Sequence, residues 1–396
     1  MALSKKLSQL SPSVTLVIAE TARQMKAKGI DVISFSTGEP DYNTPEPVKE
    51  AGIEAIRSNF TKYCTANGIL ELKQAICRKL QRENNLDYEP ANIVVCNGAK
   101  QVIFQACAAL LDEGDEVIIP TPCWVSYVEQ VKLFGGVPVL TPCREENGFR
   151  LTADLVEAAI TPRTKALVIC SPNNPSGAMI EAEELRKIAD LAVKHDFYVI
   201  ADEVYENLAF DGKKNVSIAS FGPEIKARTL TVNSLSKTYC MTGWRIGYLA
   251  SSKEIAKAVS LIHGHATGNV NAPTQKAAAY ALDHIFDFSA MSDDYENRRN
   301  FVLERLAKIP GLTCTKPDGA FYVFPNVTSF FGKSCNGTTV NSAAELASYL
   351  LQEAHVALVP GEAFEMPGYI RITFAVDMEK VKEGLDRIDA ALAKLQ

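Results

Sequence analysis

The chain has 396 residues, 47% hydrophobic and 22% charged, with 23 glycines and 19 prolines. These ordinary proportions exclude a disordered, collagen-like or low-complexity chain and allow two or three domains around a large core. With 41 basic and 47 acidic residues the net charge is −6, which argues against a nucleic-acid or anionic-membrane surface but leaves room for local basic pockets.

Short apolar runs alternate with amphipathic stretches along the middle of the chain. Ile69, Leu72, Ile76 and Leu80 share one face of a predicted helix over Ile69–Leu80. Strands follow at Ile93–Cys96 and Glu116–Ile119, separated by a helical run over Gln101–Leu111. A strand at Ala166–Cys170 leads to a helix over Glu181–His195, and strands recur at Tyr198–Ala201, Thr229–Val232 and Arg245–Ala250. Strands spaced by helices imply βαβ crossovers, hence an α/β fold with a mainly parallel sheet. The last part reads differently, with a strand pair near Ala320–Phe324 and Tyr369–Phe374 and a closing helix. Asp377 is its expected cap, and Val381, Leu385, Ile388 and Leu392 its buried face. The predicted division is 1–47, packing with the C-terminal part; 48–290, a large domain; and 291–396, a smaller α+β domain.

Several chemistries are excluded by inspection. No run approaches the ~18 apolar residues of a membrane span, and the opening MALSKKLSQLSP has no apolar signal core, so a cytoplasmic protein is expected. The ten cysteines are scattered, never as CxxC, and read as reduced thiols. There is no GxGxxG after a strand, no GxSxG and no HExxH. Gly332-Lys333-Ser334 resembles the end of a phosphate loop, but Val327 stands where its first glycine belongs. His263-Gly264-His265 has no third ligand in spacing, so no metal is expected there.

The informative residues fall just after the strands, at the edge where open parallel sheets bind ligands. Gly98-Ala99-Lys100 opens a helix whose N–H groups would suit a phosphate. Trp124, Asn174, Asp202 with Tyr205, Ser234 with Ser236 and Lys237, and then Arg245 follow at successive strand ends. Each has a plainer reading: Asp202 as a helix cap, Asn174 as the closer of the Asn-Asn-Pro turn, Arg245 as a cross-strand partner, Trp124 as core. Together they suit pyridoxal phosphate, which needs a lysine for its aldehyde, a carboxylate for its ring nitrogen, and an arginine and N–H groups for its phosphate. Arg371, between Ile370 and Ile372 on a short strand, needs an anion, and its planar fork fits an α-carboxylate.

The segments SPNNPSG (171–177), ADEVYENL (201–208), SLSKTYCMTGWRIGY (234–248) and GYIRITFA (368–375) closely resemble class-I aminotransferases of fold-type I. STGEPDYNTP (36–45), TKYCTANG (61–68) and TPCWVSY (121–127) complete the set in the family's order, and the likeness covers nearly the whole chain. Within the family the match is nearest to the bacterial aspartate aminotransferase subgroup. The resemblance implies the pyridoxal-phosphate transferase fold, with a mainly parallel seven-stranded sheet between helices. It implies ping-pong transfer between aspartate and 2-oxoglutarate, with prephenate, aromatic or alanine transamination as alternatives. A cofactor-binding sensor is the rival from another class, but it would need an N-terminal helix-turn-helix ahead of motifs that here begin by Gly38.

Carried over residue by residue, Lys237 is the Schiff-base lysine and proton carrier, and Asp202 the partner of the ring nitrogen. Tyr205 and Asn174 bond the phenolic oxygen, and Trp124 stacks on the ring. Arg245, Ser234, Ser236 and the main chain at Ala99 and Lys100 hold the phosphate. Arg371 and Gly38 take the substrate carboxylate, together with Asn174 and Trp124. Tyr63 reaches the phosphate of a neighbouring subunit, which implies a homodimer with shared sites. Lys100 is the expected binder of a distal carboxylate, with Ser13 and Thr15 adding hydrogen bonds.

Overall fold

The computed structural model describes residues 4, 6, 8, 10–12, 14–284 and 286–396. Seven strands form the central sheet: β1 (Ile93–Cys96), β2 (Glu116–Thr121), β3 (Val137–Pro142), β4 (Thr164–Cys170), β5 (Tyr198–Asp202), β6 (Thr229–Ser234) and β7 (Gly247–Ala250). Their spatial order is β1-β7-β6-β5-β4-β2-β3. The β2, β3, β4, β5 and β6 pairings are parallel, whereas β7 runs antiparallel to both β1 and β6. The exception has a local cause. Residues 235–246, between β6 and β7, are turns without a crossover helix, so the chain returns beside β6 in the opposite direction.

Helices cover both faces, so β1, β6 and β7 are buried at every position; this suits the apolar run of β1, whereas β6, Thr-Leu-Thr-Val-Asn-Ser, buries polar side chains as well. The sequence reading omits β3. It is an edge strand, largely exposed, and it carries Pro138 and Pro142, which break the apolar signature. It also starts the last strand too early. Arg245 adopts φ 56° in the preceding turn, and pairing begins at Gly247.

In the C-terminal part, Tyr322–Val323, Ile370–Thr373 and Val359–Pro360 form a three-stranded antiparallel sheet. Ile33–Ser34, near the start of the chain, pairs in parallel with Val356–Ala357. Gly332-Lys333-Ser334 belongs to a hairpin and its approach, not to a strand-to-helix phosphate loop. All ten cysteines are free thiols, and no cluster of metal-ligating side chains occurs among the described residues. No helix among them is long and apolar enough to cross a membrane.

The closing helix, Met378–Leu392, is capped by Asp377, which accepts a hydrogen bond from the Glu379 N–H at 2.9 Å. It buries Val381, Leu385, Ile388 and Leu392. Gly384 sets its distance from the N-terminal segment: a Cβ there would stand 2.3 Å from the Phe35 ring and 3.2 Å from Ile33. Gly384→Ala should therefore push the helix off Phe35 and cost about 1–3 kcal/mol, read as a lowered denaturation midpoint. An unchanged midpoint would mean that this contact does not limit the packing.

Candidate active site

Five strand ends and the turn before β7 open on a cavity of about 340 Å³. Beyond β1, Gly98 (φ 81°) turns the chain into the helix Ala99–Leu110. A Cβ on Gly98 would come within 2.7 Å of the Arg245 guanidinium, and one on Gly247 within 2.7 Å of the Ala99 nitrogen. Both glycines thus let a helix N-terminus and a guanidinium crowd together. Arg245 is held by bonds to the Thr242 carbonyl at 2.9 Å and the Asn97 carbonyl at 3.2 Å. Its left-handed backbone stores on the order of 1–3 kcal/mol of strain. N–H groups at the positive end of a helix dipole, beside an arginine, make a seat for an anion.

Asp202 closes β5 at 4% exposure and accepts a 2.6 Å hydrogen bond from the Tyr127 hydroxyl. Burial pushes its carboxyl up to about 6, although the Tyr127 and Val204 donors pull the other way. Lys237, in the turns after β6, donates from Nζ to the Gly38 carbonyl. Burial, aided by the nearby Arg371 charge, lowers its amine to about 8. Such an amine is more readily freed of its proton than a surface lysine.

Arg371 is 3% exposed. Its Nη1 donates to Asn174 Oδ1 at 3.0 Å and its Nη2 to the Ser36 carbonyl at 2.6 Å, while its buried Nε has no partner. The rings of Tyr322 and Phe364 flank the guanidinium at 4.5 and 5.0 Å. Among the described residues no carboxylate pairs with it. A buried cation completed only by neutral acceptors is prepared for an anionic ligand. Gly38 supplies clearance beside it, since a Cβ would lie 2.5 Å from the Tyr322 hydroxyl.

Trp124, Ala99, Ser234 and Ser236 also line the cavity, and Lys100 reaches in with Nζ 4.9 Å from the Trp124 ring centre. Burial and the nearby Arg245 charge lower the Lys100 amine. The plainer readings of two residues fall away. The Asn-Asn-Pro turn is closed by Asn173, which accepts from the Ser176 N–H at 3.1 Å, leaving Asn174 to face Arg371. Asp202 is followed by turns, not by a helix it would cap.

Every sequence-predicted site residue lines this cavity except Tyr63, which is 99% exposed and projects from the surface. Ser13 lies outside the described residues, as does the side chain of Thr15. Among the lining residues that the sequence reading does not name are Tyr127, Tyr322, Glu39 and Thr242. Glu39 accepts a 3.0 Å hydrogen bond from the Thr242 hydroxyl, and Tyr322 shares one of 2.9 Å with Tyr205. Tyr127 and Thr242 stand inside the quoted motifs; nothing local marks Tyr322.

Comparison with known proteins agrees with this geometry. The family model for aminotransferases of class I and II matches residues 30–388. The chain belongs to that family. It is 46% identical to a probable aspartate/prephenate aminotransferase of Aquifex aeolicus, over 99% of each chain. It is 44% identical to an aspartate aminotransferase of Geobacillus stearothermophilus, over 98% of each. Among solved structures, the aspartate aminotransferase of Rhizobium meliloti superposes with a TM-score of 0.96 at 42% identity, over the whole of both chains. The aspartate aminotransferase of Thermus thermophilus with maleate gives 0.92 at 38% identity, covering 99% of this chain and 100% of that one. The aminotransferase therefore has the fold of pyridoxal-phosphate-dependent transferases.

The Asp202 environment fixes the sign of a stability change. Its folded value, about 6, lies above the ordinary value of about 4, so the folded state holds the extra proton between the two. Stability from this group is thus full below about pH 4 and is lost as pH rises through about 6. In the ligand-free chain Asp202→Asn should be more stable than the parent at pH 7 by about 1–3 kcal/mol, the gain vanishing near pH 4. Urea titrations at the two pH values measure it, and a destabilised variant at pH 7 would contradict the sign.

Proposed function

We propose that this aminotransferase binds pyridoxal 5′-phosphate and moves an amino group between aspartate and 2-oxoglutarate. One observation carries the reading: an amine of lowered basicity, a buried carboxyl and an acid-free guanidinium face one cavity beside a second anion seat. The donor set fits the cofactor. Arg245, Ser234, Ser236 and the N–H groups at Ala99 and Lys100 suit its phosphate, Trp124 its ring, Asn174 and Tyr205 its phenolic oxygen, and Asp202 its ring nitrogen. When bound, the cofactor supplies an aldehyde that condenses with amines and a ring that withdraws electrons from the substrate Cα.

The rest is done by side chains. Arg371, with Gly38 at its side, holds the α-carboxylate and so fixes which Cα bond faces the cavity. Lys237 faces the reacting Cα, and with its value near 8 its amine can take a proton there as a base and give one up again as an acid close to neutral pH. Asp202, sealed from water and held by Tyr127, opposes loss of the ring proton. Lys100 supplies a second cation from another element, which suits a dicarboxylate. The maleate found with the Thermus thermophilus enzyme is itself a dicarboxylate. The exposure of Tyr63 suits a role in a second subunit's site, and a cytoplasmic homodimer, with the 1–47, 48–290 and 291–396 division, belongs to the same reading. The aspartate/prephenate names among the relatives make prephenate the second oxo acid to test.

Two experiments examine this reading. Borohydride reduction should fix the cofactor to the peptide containing Lys237, and Lys237→Ala should lose multiple turnover; label recovered on another lysine would refute the assignment. Lys100→Ala should cut kcat/KM for aspartate by ~10–100-fold while sparing alanine and phenylalanine as donors. An equal loss with every donor would instead make Lys100 a phosphate or folding residue.

A further inference from the structure

Behind the cavity wall lies a polar cluster that the proposed chemistry does not use. Glu206 directly follows Tyr205 but turns away from the cavity, its side chain 7% exposed. Its carboxylate is fully engaged. It takes the Lys79 ammonium and the Asn233 amide on Oε1, the latter at 2.5 Å, and the Asn84 amide on Oε2 at 2.5 Å. Lys79 is 2% exposed, on the helix Leu70–Asn84, and also donates to Asn84 Oδ1 at 2.8 Å. Sealing a lysine and a glutamate together is a weak source of stability, because desolvation offsets much of the attraction. The cluster invites a different account.

That account follows from its far end. A carboxylate only accepts, so Glu206 claims the NH₂ group of Asn233 and leaves the Asn233 oxygen facing the other way. That oxygen accepts the Ser234 backbone N–H at 2.7 Å. The Ser234 hydroxyl oxygen in turn accepts the Ser236 N–H at 3.3 Å, so the Ser234 hydroxyl proton is free to point into the cavity. A chain of directed bonds thus runs from a buried ion pair to the hydroxyl at the anion seat. Strand alternation makes it possible, since Asn233 and Ser234 are neighbours with opposite sides of the sheet to face.

We infer that Glu206, braced by Lys79, is a positioning residue for phosphate binding, acting through the Asn233 amide on the Ser234–Ser236 turn. The inference rests on the reading of this cavity as the pyridoxal phosphate site. Replacing Glu206 with glutamine presents an NH₂ group to donors and permits the Asn233 amide to turn over, which would take the acceptor away from Ser234.

The test uses the full chain, stripped of cofactor by dialysis and titrated by fluorescence with pyridoxal phosphate and with pyridoxal, which lacks the phosphate. Glu206→Gln should raise the Kd for pyridoxal phosphate at least ~10-fold while the Kd for pyridoxal stays within about two-fold. Asn233→Ala leaves the Lys79–Glu206 pair intact and cuts only the link to Ser234, so it should give the same pattern even if Glu206→Gln does not fold. Equal weakening of both ligands, or no weakening of either, in Asn233→Ala would overturn the inference. A parent chain that fails to prefer pyridoxal phosphate over pyridoxal would overturn the reading of the cavity itself, and this inference with it.

Discussion

Three of the cavity's ionisable groups, Lys237, Asp202 and Arg371, have no close ion pair among the described residues. Each is met by a neutral partner: the Gly38 carbonyl, the Tyr127 hydroxyl, and the Ser36 carbonyl with the Asn174 amide. Neutral partners set a direction without cancelling a charge, so the groups stay available to a charged ligand. The cost appears in the direction of every shift: burial raises the carboxyl and lowers both the amine and the guanidinium. A chain that kept its site this way needs a rigid frame, and the fully buried strands β1, β6 and β7 provide it.

The same strand ends serve two sides. Asp202 faces the cavity while Glu203, also buried, faces the Lys79 cluster; Tyr205 and Glu206 divide in the same way, as do Ser234 and Asn233. Burial, together with the neighbouring Glu206, raises the Glu203 carboxyl. Lys79 and Glu206 form the ion pair behind the wall. Placing fixed polar groups there leaves the cavity face for residues that meet the ligand, and keeps the two roles on adjacent positions at the ends of β5 and β6.

Much of this was legible in the sequence because the signals are local. Buried parallel strands read as apolar runs, and the residues just after them are the ones the sheet edge exposes to a ligand. What was missed is either inconspicuous or long-range. Val137–Pro142 is an exposed edge strand interrupted by proline. The positive φ of Arg245 is invisible in a residue type that normally avoids it, so the strand was begun two residues early. Tyr127 meets Asp202 across 75 positions, Tyr322 meets Tyr205 across 117, and Lys79 meets Glu206 across 127. No pattern within one element announces such pairs.

The segment 36–45 shows how distant parts of the chain converge on one amine. On one side Asp41 binds Arg298 at 2.7 Å and the Tyr295 hydroxyl at 2.9 Å, both on the helix Ser289–Leu306. On the other side the Thr44 hydroxyl donates to the Cys240 carbonyl at 2.7 Å and accepts from the Trp244 indole at 3.1 Å, next to the Lys237 turns. Glu39 adds the bond from Thr242. Gly38 is therefore clamped between two parts of the molecule, and its carbonyl is the acceptor that Lys237 meets. A side chain larger than hydrogen at position 38 would strike Tyr322, which is itself bonded to Tyr205. The position of the reactive amine is thus set jointly by the loop after β6, by the N-terminal segment and by the C-terminal sheet, which is why no single motif defines it.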